Sequence, residues 1–189
     1  MIELNKGEDL LLATEDGSPV TRVRMGLGWD NIPNAGFGGN GRPDIDLDAT
    51  AVQFTGDQLF DLAFYNNLQT RDGSVVHLGD NLTGKGEGDD EAITVDLGRV
   101  HGPVDQVVFL VSSYQGHSLE WVGHAYCRLV DEVRDVELAR FTLTWGVPET
   151  GLVMASLKRD GDGWRLRAIG EGIAVTVPSQ SVDKLRPFL

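Results

Sequence analysis

Paired cysteines and long apolar segments are both missing from this chain of 189 residues. Its single cysteine, Cys127, cannot form an internal disulfide, so nothing indicates a disulfide-stapled secreted domain. The longest apolar run, Val107–Val111, is far shorter than the roughly 20 residues that a membrane-spanning helix needs. The first residues, MIELNKGEDL, do not combine a basic segment with an apolar one, so we expect no signal peptide. These absences predict a cytoplasmic protein without direct membrane insertion.

Basic residues are also in short supply, because 16 Lys and Arg oppose 29 Asp and Glu, a formal net charge of −13. Such an excess repels phosphate groups, which argues against nucleic acids and anionic membrane surfaces as partners and favours cations. The motifs HExxH, GxSxG and CxxC, typical of zinc proteases, serine hydrolases and thiol redox sites, do not occur. Cys127 lies in an apolar strand pattern and is expected to belong to the core.

Short β-strand patterns take up most of the chain, and convincing amphipathic helix patterns are lacking. Hairpin-type dipeptides such as Asp72-Gly73 and Asp160-Gly161 separate the strands. This combination predicts an all-β fold, a two-sheet β-sandwich of about ten strands, with short helical turns near Leu97–His101 and after Ser181. The length predicts one domain over residues 1–189, with a core at about 2–170 and a variable C-terminal tail at 171–189. The predicted strands are Leu10–Thr14, Val20–Leu27, Asp46–Phe54, Phe60–Tyr65, Ser74–His77, Ala92–Leu97, Gln106–Tyr114, Val122–Val130, Glu137–Thr144, Leu152–Arg159 and Gly163–Ile169, with Gln106–Tyr114 at the centre of a sheet.

The acidic residues concentrate in two segments. Asp80–Glu91 contains five acids against Lys85, a net charge of −4, and Asp30–Asp48 carries −3. The two segments therefore hold −7 of the total charge of −13. Two segments with this much charge of one sign attract cations, although a solvated acidic loop is the alternative interpretation.

The spacing within the second of these segments favours a metal site. Side chains two apart on a strand share a face, so Asp44, Asp46 and Asp48 would point the same way, with Ile45 and Leu47 toward the core. A hard divalent cation relieves the repulsion between such carboxylates. Calcium takes six to eight oxygens from carboxylates, amides and backbone carbonyls on flexible loops, and a glycine-rich acidic loop can supply all three.

Known loop templates do not match. An EF-hand requires glycine at its sixth position, where a loop that starts at Asp80 has Lys85. The segment GDNLTGKG at Gly79–Gly86 resembles the phosphate-binding pattern GxxxxGK[ST], but Gly86 replaces the hydroxyl residue and four acids follow. Any calcium site is therefore of another kind, and nucleotide binding is not expected.

One string, GDNLTGKGEGDDE at Gly79–Glu91, is long and unusual enough to serve as a specific family motif. It is accompanied by GLGWD at residues 26–30, DLDA at 46–49, YNN at 65–67, DGSV at 72–75, GHAYCRLV at 123–130, ELAR at 137–140 and GWRLRAIG at 163–170. Together these segments resemble the TerD family of tellurium-resistance and stress-response proteins, from about Ile2 to Ile169. Within that family the chain is most similar to the TerZ-like branch, which carries a Gly-rich insertion such as Gly36–Gly41.

The resemblance implies a two-sheet β-sandwich with two calcium sites near one end, and no enzyme activity. It implies association with other Ter-type proteins and with a TerC-like membrane partner, which would recruit the protein to the inner face of the membrane. The ligands that it implies are Asp30, Asp46, Asp48, Asn66, Asp80, Asp89, Asp90 and Glu91, with backbone carbonyls near Asn81 and Leu82 and with Asp44 and Glu87 as further candidates.

Three functions remain open from the sequence. The first is a calcium-binding stress-response protein that acts through protein interactions. The second is a metal-assisted hydrolase that uses the acidic cluster, although no nucleophile, base or phosphate-binding basic cluster accompanies the acids. The third is a protein in which calcium only stabilises the fold.

Overall fold

The computed structural model describes residues 1–31, 46–79, 88–143 and 147–189, without the side chains of Asp30, Asn31, Trp121, Gly123 and His124. Two sheets of six strands each form a β-sandwich, which confirms the predicted fold class. The strands are β1 (Ile2–Glu3), β2 (Asp9–Leu11), β3 (Arg22–Asn31), β4 (Leu47–Thr55), β5 (Gln58–Ala63), β6 (Val75–His77), β7 (Glu91–Asp96), β8 (Gln106–Ser113), β9 (Val122–Asp131), β10 (Val136–Thr142), β11 (Gly151–Asp160) and β12 (Gly163–Ile173).

The first sheet has the strand order β1-β10-β9-β3-β7-β6, and the second has β2-β12-β11-β8-β4-β5. All neighbouring pairs are antiparallel except β1 with β10. Strand β8 lies between β11 and β4 and is buried along its whole length. Its continuous apolar sequence is what a strand covered on both faces requires, and the predicted central position is confirmed.

The side chains of β4 alternate between two apolar environments. Leu47 and Ala49 belong to the core between the sheets, whereas Val52 and Phe54 belong to a second apolar cluster on the outer face of the second sheet. The C-terminal segment covers this outer face, because Leu185 is fully buried in the same cluster.

Helical structure in the described residues is short. A helix, α1 (Val182–Leu185), lies after Ser181 as predicted, and 3-10 turns occupy Leu119–Trp121, Pro178–Gln180 and Arg186–Phe188. Near Leu97–His101, residues 97–99 form a turn in which Val100 N–H donates to the backbone oxygen of Asp96 at 3.2 Å, a single helix-type bond that is not continued into a helix. None of the helices among the described residues has the length and apolar character needed to cross a membrane.

Four strand ends meet at one end of the sandwich, which we call the acidic end. Strand β3 stops at Asn31, β4 starts at Leu47, β7 starts at Glu91 and β8 stops at Ser113. Strand pairing places these ends side by side, since Leu27 pairs with Glu91 in the first sheet and Leu47 pairs with Ser113 in the second. The acidic segments that were singled out in the sequence therefore border the same end of the fold.

Candidate metal centre at the acidic end

Glu91 connects the two sheets at the acidic end. It lies on the same face of β7 as the core residues Ile93 and Val95, and it is 2% exposed. Its Oε2 accepts a hydrogen bond of 2.6 Å from the backbone N–H of Ala49 on β4. A carboxylate of the first sheet is thereby fixed beside the start of β4, where Asp46 and Asp48 are found.

His77 packs against Glu91 with its imidazole almost fully buried. The backbone N–H of Gly79 donates to Nδ1 of His77 at 3.2 Å, and Nε2 of His77 lies 3.5 Å from Oε2 of Glu91. Nδ1 therefore accepts, whereas Nε2 lies within ion-pair range of Glu91 without making a hydrogen bond to a described residue. His77 and Glu91 thus hold together the two chain segments that flank residues 80–87.

Asp46 and Asp48 are buried on the second sheet. Asp48 is 3% exposed and Asp46 is 9% exposed. Because Leu47 and Ala49 point into the core, the alternation of β4 places Asp48 on the outer face of the second sheet. The predicted core position of Leu47 is confirmed, whereas Asp44 and Ile45 lie outside the described residues.

Asp89 makes its principal contacts with an arginine of the first sheet. Its Oδ1 accepts from Nε of Arg128 at 2.6 Å, and its Oδ2 accepts from a terminal nitrogen of the same guanidinium at 3.0 Å. This two-point pairing is the strong form of an Arg–carboxylate contact. Hydrogen bonding to Asp89 raises the pKa of Arg128, so the cation is permanent. The carboxylate of Asp89 lies flat over Gly26, where a Cβ would overlap it.

Tyr126, together with the charged residues Glu137 and Arg140, extends the Asp89–Arg128 contact across the outer face of the first sheet. The hydroxyl of Tyr126 donates to the backbone oxygen of Gly88 at 2.9 Å, and its ring leaves no space for a Cβ on Gly28. Burial, followed by the charge of Asp89, raises the pKa of this phenol. Glu137 links Arg128 and Arg140, and Arg140 stacks over the Tyr126 ring at 4.3 Å. We call Asp89, Tyr126, Arg128, Glu137 and Arg140 the loop anchor, because their contacts fix the chain at Gly88 and Asp89, just before β7 begins.

Asp90 and Asn66, two other predicted ligands, lie apart from the loop anchor. Oδ2 of Asp90 accepts a hydrogen bond of 2.9 Å from the backbone N–H of Trp29, which ties it to the end of β3. Asn66 is exposed on the turn Phe64–Asn67 that follows β5. Register pairs Ala63 with Ala51, so this turn runs alongside the start of β4.

The described residues bring the predicted ligands to one end but not into one group. Asp89 is on the outer face of the first sheet, Glu91 lies between the sheets and Asp48 is on the outer face of the second. No group of three or more His, Cys, Asp or Glu side chains that could hold a metal ion is found within the described ranges. Asp44, Asp80, Asn81, Leu82 and Glu87, and the side chain of Asp30, lie outside the described residues, so the ligand assignment stays a prediction.

The loop anchor was missed by reasoning from the sequence. Its signal is weak but present: Tyr126 and Arg128 alternate with the core residues Ala125, Cys127 and Leu129, which puts both on an outer face. The register that sets Arg128 opposite Gly26 and Arg140 cannot be read from composition.

A sequence model of the family described as the TerD domain matches residues 1–179. The chain belongs to the TerD-domain family. The tellurium resistance protein TerZ of Serratia marcescens is 39% identical over 175 residues, which cover 90% of this chain and 89% of that protein. The stress response protein SCP2 of Bacillus subtilis is 35% identical over 184 residues, covering 90% of this chain and 92% of that protein.

Solved structures agree with the fold of this TerD-family protein. The crystal structure of a homologue of telluride resistance protein (TerD) from Streptomyces coelicolor A3(2) matches with a TM-score of 0.69 at 22% identity, covering 86% of this chain and 95% of that one. At this identity the match shows the fold alone. The family match and the relatives confirm a tellurium-resistance and stress-response family for this TerD-domain chain.

Proposed function

We propose that this TerD-domain protein binds calcium at the acidic end and acts in the stress response through calcium-dependent protein interactions, without catalysis of its own. The observation that carries the proposal is that buried carboxylates of both sheets border this end. Glu91, between the sheets, accepts from Ala49 N–H, Asp48 lies on the outer face of the second sheet, and both are at most 3% exposed. Burying carboxylates is costly, and a divalent cation is one of the few groups that offsets the cost.

The donor set fits calcium better than a transition metal. The candidate ligands are carboxylate, amide and backbone oxygens, which hard cations prefer, whereas zinc and copper favour sulfur and nitrogen. Cys127 lies in the core, separated from Glu91 by Leu27, and Nδ1 of His77 already accepts from Gly79. Calcium bound here would neutralise the acidic end.

Calorimetric titration of the metal-stripped protein tests the proposal. Calcium should bind more tightly than magnesium, because magnesium demands a compact octahedron and gives up its water reluctantly. Equal affinity for the two ions would contradict a loop-borne, multi-oxygen site, and no heat or stabilisation with either ion would leave the solvated acidic loop as the better interpretation.

Asp90→Asn is expected to weaken calcium binding at least tenfold, about 1.4 kcal/mol, because it removes one ligand charge at the acidic end. Asp105→Asn is the matched control, since Asp105 also accepts one backbone hydrogen bond, 3.0 Å from Gly56 N–H, but at the opposite end of β4. The same calorimetry measures both variants. A loss of affinity of similar size in both would assign the effect to general electrostatics.

The nearby arginines favour a protein that acts through protein interactions over a hydrolase, because both are already paired with carboxylates. Arg128 and Arg140 lie on the outer face of the first sheet. Arg128 is hydrogen-bonded to Asp89 and Arg140 to Glu137, so neither guanidinium is available to bind a substrate phosphate. We propose other Ter-type proteins and a TerC-like membrane protein as partners. Capture of such partners with calcium, but not with chelator, separates a regulatory calcium from one that only stabilises the fold.

Direct chemistry on tellurite through Cys127 is not expected. Burial raises the pKa of the Cys127 thiol to about 12, and the side chain is 2% exposed, so the reactive thiolate is scarce at neutral pH. In the folded protein the thiol should survive exposure to tellurite or to an aromatic disulfide reagent, whereas the denatured chain should react at once. Rapid, stoichiometric loss of the thiol in folded protein would restore a detoxification role.

A further inference from the structure

Two buried hydroxyl groups near the acidic end have no hydrogen-bond partner among the residues that the structure describes. Oγ1 of Thr50 and Oγ of Ser112 belong to residues with no exposed surface, and neither oxygen makes a hydrogen bond. Buried hydroxyls are nearly always bonded, because an unmade bond costs folding free energy. A pair of such groups beside buried carboxylates therefore points to a polar ligand that both could share.

Both hydroxyls share a face with the buried acids. Ser112 on β8 pairs directly with Asp48 on β4, and Thr50 follows Asp48 by two residues on the same outer face of the second sheet. Directly opposed residues of an antiparallel pair have Cβ atoms roughly 4.5–5.5 Å apart. Three oxygen-bearing side chains are thus within reach of one ion, and Asp46 immediately precedes the strand.

We infer that Thr50 and Ser112 contribute their hydroxyl oxygens to a calcium ion held by Asp48 and Asp46. The inference rests on the proposed function and extends it, since neither hydroxyl residue belongs to the acidic motifs. Two carboxylates fill only part of a shell of six to eight oxygens, so neutral donors are needed. A hydroxyl is such a donor, and ligation would satisfy both orphaned groups in one step.

Replacing a hydroxyl that ligates calcium should affect metal-free stability differently from replacing a hydroxyl that only supports the fold. Without metal, the two groups destabilise the fold, so replacing them with apolar residues of similar shape should leave the metal-free protein as stable or more stable. With calcium present, the same replacements remove ligands. Metal-free stability and calcium affinity should therefore change in opposite directions.

The test uses the full chain, stripped of metal, in calorimetric calcium titrations and thermal melts. Thr50→Val and Ser112→Ala are each expected to weaken calcium binding at least fivefold while the metal-free melting temperature stays level or rises. Thr50→Ser keeps the hydroxyl and should retain near-normal affinity. Ser156→Ala is the matched control, because Ser156 is buried on β11 of the same sheet opposite Val108, roughly 13 Å along β8 from Ser112.

The outcomes distinguish this inference from the proposed function. If the unaltered protein binds no calcium, the proposed function fails and the ligand assignment fails with it. If it binds calcium and Thr50→Val and Ser112→Ala bind equally well, only the ligand assignment is overturned. A lower metal-free melting temperature with unchanged affinity would also overturn it, because the hydroxyls would then be bonded to water or protein.

Discussion

Calcium at about 100 times its dissociation constant is expected to raise the melting temperature of the metal-stripped protein by on the order of 10–20 °C. Each independent site adds roughly 2.7 kcal/mol at that saturation, since the ion binds the folded chain and not the unfolded one. Two sites would therefore add about 5 kcal/mol, and a domain of this size gains roughly 2–4 °C per kcal/mol. The effect should be large because the ion offsets the repulsion between buried carboxylates at the acidic end, where Asp46 and Asp48 lie two residues apart.

Monovalent salt provides the control for this effect. Salt screens exposed charges within a Debye length of about 8–10 Å, so it should partly stabilise the metal-free form and change the calcium-bound form little. Acidification toward pH 4 should weaken the calcium effect, because the ligand carboxylates must be deprotonated. Thermal melts with calcium or chelator, each at low and moderate NaCl, measure all of this. A melting temperature indifferent to calcium would contradict a metal centre.

The fold could be predicted because period-2 alternation is a local signal. Asp46–Phe54 begins with alternating polar and apolar residues, and that pattern predicts Leu47 in the core and Asp48 on the other face, as the structure has them. Strand β1 was missed, since Ile2 and Glu3 are too few residues to show a period. The end of β3 was also missed. Core side chains alternate as far as Trp29 and the strand continues to Asn31, beyond the register shift between Gly28 and Asp30 in its pairing with β9.

The candidate site could be predicted only in part, because its contacts join residues far apart in sequence. Charge clustering singled out segments that border the acidic end, where Glu91 and Asp48 are each buried. The contact of Asp89 with Arg128 spans 39 positions and depends on the β3–β9 register. Thr50 and Ser112 carry no charge and match no motif, so only the packed structure reveals their unmade hydrogen bonds.

Arg128→Ala is expected to destabilise the protein by about 3 kcal/mol, because two charge-assisted hydrogen bonds to Asp89 are lost and that carboxylate, 8% exposed, keeps its charge. The melting temperature should fall by roughly 6–12 °C. Arg165 provides a matched control, since it also pairs with two carboxylates, Asp9 and Asp160, but on the surface. Arg165→Ala should shift the melting temperature little, as exposed ion pairs contribute little. Equal losses in the two variants would contradict the importance of burial in the loop anchor.

Asp89→Asn, alone and combined with Arg128→Ala, decides between the two roles open to Asp89. If Asp89 anchors the loop, removing its charge should partly restore the stability lost with Arg128, so the two changes are non-additive in thermal melts. Asp89→Asn alone would then lower stability and reduce calcium affinity only as much as Arg128→Ala does.

If Asp89 is instead a calcium ligand, as the family resemblance implies, Asp89→Asn should weaken calcium binding tenfold or more. Arg128→Ala would then preserve or strengthen binding, because it removes the cation that competes with calcium for the same two oxygens.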